Sequence, residues 1–136
     1  MQSPSGMNQQ PWEFLVLNDK EALDKIRNHF PNAKMLQEVP LMIVVLEKTD
    51  SQVPYFSHQS LGACIENLLL EAADIGLGAC WIGVAIGERE DFLRDAFGVP
   101  QDINPFAIIA VGYPKEADAN KFVDRYDASK VHYNNY

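Results

Sequence analysis

The stretch SLGACIENLLLEAADIGLGACWIGV, from Ser60 to Val84, decides the reading of the fold. Leu61, Cys64, Ile65, Leu68, Leu69, Ala72 and Ile75 recur every three or four residues, the spacing of one helix face. A helix is therefore expected from Ser60, as its N-cap, to Gly76. Leu70 and Ala73 widen the apolar face beyond a single stripe. A helix apolar on more than one side is either enclosed in a core or packed against another chain. A small domain has little room for the first arrangement, so a dimer is expected. Gly76 and Gly78 are read as closing residues that accept positive φ, and Ala79 to Val84 follows as a strand or an extended loop.

Working outward toward the N-terminus, Leu41 to Leu46 is a continuous apolar run that reads as a central strand buried on both faces. Trp12 to Leu17 is aromatic and branched up to the Asn18-Asp19 turn, a second strand. Leu23, Ile26 and Phe30 give Asp19 to His29 the spacing of a short helix closed by Pro31, and residues 32–38 add a helical turn. Toward the C-terminus, Glu88 to Phe97 forms a helix closed by Gly98 and Pro100, and Pro105 to Gly112 is a last apolar strand. Strands and helices alternate, which predicts an α/β domain over 1–136 with helices covering a sheet of mixed direction. The polar segment Glu47 to Ser57 is read as a loop over a site. Pro114 to Tyr136 is polar and aperiodic, carries Phe122, Tyr126, Tyr133 and Tyr136, and reads as an extended arm ordered by packing on a second subunit.

The chain has 136 residues, 47% of them hydrophobic, a formal charge of -8 and a pI near 4.7. Its eleven Lys and Arg are scattered, which argues against a nucleic-acid or anionic-membrane surface. No apolar run reaches the roughly 18 residues of a membrane span and no signal-peptide layout is present, so a cytoplasmic location is expected. Cys64 and Cys80 are expected as buried free thiols. His29, His58 and His132 lie too far apart in sequence to form a metal-ligand set, and no metal is expected.

Pro4-Ser5-Gly6-Met7-Asn8-Gln9-Gln10-Pro11-Trp12 has the make-up of a ligand cradle: two prolines bracket small and amide residues whose N–H, hydroxyl and carboxamide groups remain free to hydrogen-bond. The segment PSGMNQQPWEFLVL, 4–17, resembles the opening flavin-binding segment of the FMN-dependent nitroreductase family. Glu66 to Gly83 resembles that family's central helix and the flavin-facing strand after it. Ala110-Val111-Gly112-Tyr113-Pro114 is similar to its strand-to-arm exit, and Arg125-Tyr126-Asp127 through Val131-His132-Tyr133 to its arm. The four segments occur in the family's order along nearly the whole chain.

The resemblance implies a three-layer αβα sandwich with a mixed, largely antiparallel sheet, assembled as an intertwined homodimer with FMN in clefts at the interface. It implies that Pro4, Ser5, Gly6 and Asn8 line the isoalloxazine and ribityl groups, often those of the opposite subunit. Backbone N–H groups of Ile82 and Gly83 would lie near flavin N5 and O4, and Arg125, with Lys121 a weaker candidate, would face the phosphate. NAD(P)H would reduce the flavin and a small electron-poor acceptor, a nitroaromatic or a quinone, would reoxidise it, with no dedicated catalytic acid or base. Family members usually open with a helix carrying an Arg-Ser-x-Arg phosphate motif, and this chain starts after the point where it would stand. Either Met1 is an internal methionine of a longer chain that carries the motif, or the helix is lost, and for the second case the alternative expectation is a degenerate, non-catalytic dimer of the same fold that binds flavin weakly or not at all. Ser60 stands where relatives commonly place Asp.

Overall fold

Alternation along the two central strands turns one sheet into the floor of two cores. In the computed structural model, which describes residues 2–84, 87–116 and 118–136, the chain runs β1 (Trp12–Leu17), α1 (Lys20–His29), β2 (Leu41–Lys48), α2 (Ser57–Asp74), β3 (Gly78–Gly83), α3 (Glu88–Phe97) and β4 (Ile103–Gly112). Met42, Val44, Ile108 and Ala110 point to one face, where they meet Leu23 and Ile26 of α1 and Leu93 of α3. Val45, Ala107, Ile109 and Val111 point to the other, where they meet Leu61, Cys64 and Ile65 of α2. The result is the expected αβα sandwich.

The sheet order is β1-β2-β4-β3, and every described pairing is antiparallel. This corrects the expectation of mixed direction, and the topology supplies the reason. β2 and β3 run the same way, as a strand–helix–strand connection favours, but β4 inserts between them and opposes both. A register shift between Val45 and Leu46 lets Phe106 and Ala107 both turn toward α2, and Pro105 is accommodated at that bulge.

Local chemistry sets the helix ends. Asp19 caps α1 by accepting from the Ala22 N–H at 3.0 Å. Asp19→Ala is expected to cost about 1 kcal/mol, read as a lower urea midpoint at unchanged slope. α2 begins at Ser57, earlier than its apolar spacing suggests, because a 3-10 turn over Pro54–Phe56 starts the winding. Ser60 therefore sits inside the helix and is not its cap. Gly76 closes α2 at φ +81, whereas Gly78 already belongs to β3. Cys64 is buried, Cys80 half-buried, and both are free thiols.

α2 does keep apolar side chains on its outer side: Leu70 and Ile75 are exposed, while Leu69 packs inward with the α2-side core. The arm leaves β4 at Gly112, and every described residue from Lys115 to Tyr136 is exposed. Asn120 Nδ2 donates to the Leu77 carbonyl at 3.0 Å, tying the start of the arm to the end of the sheet where Gly78 pairs with Gly112.

Candidate functional site

Two clusters of predicted site residues lie at the same end of the sheet but at opposite edges. Trp12, which follows the Pro4–Pro11 loop, opens β1, the first edge strand, and pairs with Glu47 of β2; Gly83 pairs with Ala107 of β4 and ends β3, the last edge strand. Three strand intervals of about 4.8 Å separate these edges. Within one protomer Pro4, Ser5, Gly6 and Asn8 are thus held together on one side, and Ile82 and Gly83 on the other.

The loop is strained and tightly fastened. Met7, Asn8 and Gln10 have φ of 49°, 54° and 49°, a left-handed conformation that Asn tolerates but Met and Gln rarely adopt. Such strain persists only where surrounding contacts impose it, and it concentrates at ligand-binding sites. The contacts are present here. Gly6 N–H donates to Ser60 Oγ at 3.2 Å, Gln10 N–H to Ser5 Oγ at 3.0 Å, and Asn67 Nδ2 to Ser3 Oγ at 2.9 Å. A Cβ on Gly6 would stand 2.8 Å from Phe56 Cβ, so the backbone passes against that ring where no side chain fits. Met7 and Asn8 project outward, exposed.

At the other edge, the backbone of β3 is half free, because β3 pairs with β4 alone among the described strands. Val84 N–H donates to the Phe106 carbonyl. By ladder alternation the Ile82 N–H also faces β4, and the Gly83 N–H points to the open edge. Gly83 can therefore offer the expected donor, whereas Ile82 contributes its side chain. Ile82 and Trp81 border a cavity of about 340 Å³ together with His29, Phe30, Asn32, Met35 and Arg89. His29 stacks on Phe92 with centroids 3.7 Å apart, and the Arg89 guanidinium lies 5.5 Å from the Phe30 ring centroid. Arg89 and Asn32 went unremarked in the sequence because only the fold brings the end of α1 beside α3.

Between the two clusters, Trp81 and His58 flank Phe106 with centroids at 6.3 and 5.2 Å, and His58 Nε2 lies 3.4 Å from Glu47 Oε2. Burial pushes the Cys64 thiol above its ordinary value, opposed by its hydrogen bond with Ser3, so it carries no nucleophilic thiolate. No group of three or more His, Cys, Asp or Glu with metal-binding geometry occurs among the described residues. Arg125 is exposed on the arm and no described contact joins it to either cluster; Lys121 pairs with Asp118 at 3.0 Å. A wider depression of about 1000 Å³, lined by Phe14, Val16, Ile43, Leu68 and Leu70, is chiefly apolar and suits packing more than chemistry. No helix among the described residues is long and apolar enough to cross a membrane.

The site can present backbone and carboxamide donors to a ligand, and His58 with Glu47 is the acid–base contact that lies between its two clusters. A model of the nitroreductase family matches residues 30–113. A Methanothermobacter thermautotrophicus protein provisionally named NADH dehydrogenase/NAD(P)H nitroreductase is 33% identical over 134 residues, which are 97% of this chain and 69% of that protein. Its Archaeoglobus fulgidus namesake is 38% identical over 136 residues, covering 97% and 78%. The crystal structure of a provisionally named NADH oxidase from Clostridium acetobutylicum superposes with a TM-score of 0.91 at 44% identity, over 100% of this chain and 82% of that one. An FMN-dependent nitroreductase from Clostridium difficile superposes at 0.85 with 27% identity, over 99% and 82%.

Proposed function

Because the chain belongs to the nitroreductase family, we propose that it is an oxidoreductase that works as a homodimer and holds one FMN in each of two clefts between subunits. The observation that carries this reading is the placement of the two clusters: the strained loop and the open Gly83 edge share one end of the sheet but lie on opposite edges. A second copy can bring one subunit's loop to the other's β3.

The residues fit the group. Pro4, Ser5, Gly6 and Asn8 form a polar wall for the ring and the ribityl chain, and the exposed Asn8 carboxamide, whose Oδ1 accepts from Gln10 Nε2 at 3.4 Å, can turn its Nδ2 donors to the heteroatom edge of a flavin. Gly83 N–H is a fixed donor for an edge that gains electron density on reduction, which favours the reduced form. Arg125, delivered by the arm, can take the phosphate in paired charge-assisted bonds. When bound, FMN supplies the redox chemistry between NAD(P)H and an electron-poor acceptor such as a nitroaromatic or a quinone. The exposed Trp81 indole and Met7 give the cleft mouth apolar surfaces on which a planar acceptor can lie. The names of the relatives, NAD(P)H nitroreductase and NADH oxidase, support the same class of reaction.

Titration with FMN should turn the protein yellow at one flavin per subunit, and anaerobic NADH or NADPH should bleach it. Asn8→Ala should weaken binding about tenfold, the worth of one lost polar contact of about 1.4 kcal/mol, and leave the fold intact. A folded protein that stays colourless in excess FMN would refute the enzyme reading and make the chain a non-catalytic relative.

A further inference from the structure

We propose that Ser60 is the positioning residue of the flavin loop: its buried hydroxyl ties the Gly6 backbone to the Phe56 turn and holds Ser5 to Gln10 in the strained shape that meets the cofactor. The inference rests on the reading of that loop as a flavin wall.

Ser60 lies in the second turn of α2 and is 5% exposed. Its Oγ donates to the Phe56 carbonyl at 2.7 Å, which commits its one proton. The oxygen lone pairs are then left to accept, and the Gly6 N–H arrives at 3.2 Å. The hydroxyl thus works in one direction, from the loop to the turn. Helix stability does not explain its presence. A serine inside a helix that bonds back to the carbonyl four residues earlier is neutral to slightly unfavourable, and alanine is the better helix former. The side chain serves the loop.

Asn67 repeats the arrangement two turns further along the same helix face, donating to Ser3 Oγ at 2.9 Å. Ser60 and Asn67, with the buried Ser57 at the start of the helix, are therefore polar positions on a helix whose other buried residues are Leu61, Cys64, Ile65 and Ala72, and the N-terminal segment bonds to two of them. Between these anchors and Pro11 the chain adopts three left-handed non-glycine residues. Without Ser60 the loop keeps its internal bonds, Gln10 N–H to Ser5 Oγ and Asn8 N–H to the Ser5 carbonyl, but loses the bond that fixes Gly6 to α2, and the strain at Met7 and Gln10 is then less firmly imposed.

The test compares Ser60→Ala with Ser60→Thr, which keeps the hydroxyl. Ser60→Ala is expected to bind FMN about tenfold more weakly, at an unchanged melting temperature. In the flavin-free protein its Gly6 amide should exchange with deuterium faster than in the parent, and Ser60→Thr should restore both properties. Unchanged FMN affinity and Gly6 exchange in Ser60→Ala would overturn the proposal. If the parent takes up no FMN, the flavin reading fails by itself, and exchange at Gly6 alone decides whether Ser60 shapes the loop: faster exchange in the variant upholds that role and an unchanged rate removes it.

Discussion

Arg94→Ala is expected to remove about 3 to 5 kcal/mol of stability, of the order of half of what a domain of this size has in total. Arg94 is 9% exposed and is the buried charge that joins α3 to the start of β4. Its Nη1 donates to the carbonyls of Pro100 and Ile103, and its Nη2 to Glu90 Oε1 at 2.9 Å and Asn104 Oδ1 at 3.3 Å. Truncation would take the guanidinium donor from the Ile103 carbonyl, leave the Pro100 carbonyl with the Ile103 N–H alone, and strip a mostly buried carboxylate of its counter-charge. A lysine cannot repeat the fork, so Arg94→Lys should recover less than half of the loss. Urea denaturation followed by far-UV circular dichroism reads the effect. A midpoint within experimental error of the parent would show that water replaces these bonds at no cost.

Arg94 also illustrates what could not be read from the chain. In sequence it is one charge among the acidic residues of a short amphipathic helix, and nothing local distinguishes it from the exposed Arg89 one turn earlier. Its role depends on where residues 99–104 pass, which is set by the pairing of β4 with β2. The elements themselves were legible. β1 and α3 have the boundaries that their side chains dictate, since a turn or a glycine stands at their ends and one periodicity runs between. The misreadings came from long-range order. Ser60 looks like a cap when only the apolar repeat is counted, because the proline turn ahead of it adds polar residues to the helix. Antiparallel pairing throughout could not be inferred from alternation, because the insertion of β4 between β2 and β3 leaves no mark on either strand. In the site, the loop's composition was readable but its strain was not. A left-handed φ at Met7 or Gln10 is contrary to local preference and exists through contacts with α2, more than fifty residues away. The direction of the Gly83 and Ile82 N–H groups is likewise a property of register.

Deletion of residues 118–136 is expected to leave a folded monomer that binds FMN about 100-fold more weakly or not at all. The fold should survive, because the arm adds no buried residue and its described link to the body is one exposed hydrogen bond, from Asn120 to Leu77. Function should not survive. Phe122 is 88% exposed and Tyr133 81%, so the arm carries aromatic surface whose burial against another surface would be favourable. The body offers such surfaces in the apolar depression between β1 and α2 and in Leu70 on the outer side of α2. Fully extended, the nineteen deleted residues could span about 60 Å, against about 33 Å for the ten residues of β4, the longest strand. The arm can therefore cross to a second copy and carry Arg125 with it. Arg125→Ala separates the two contributions: it should weaken FMN binding about tenfold through lost charge-assisted bonds while the dimer persists. Sedimentation velocity and quenching of FMN fluorescence measure both. A truncated chain that still sediments as a dimer with full flavin affinity would place the interface and the phosphate site elsewhere, on the α2 face and on cations of the body such as Arg89.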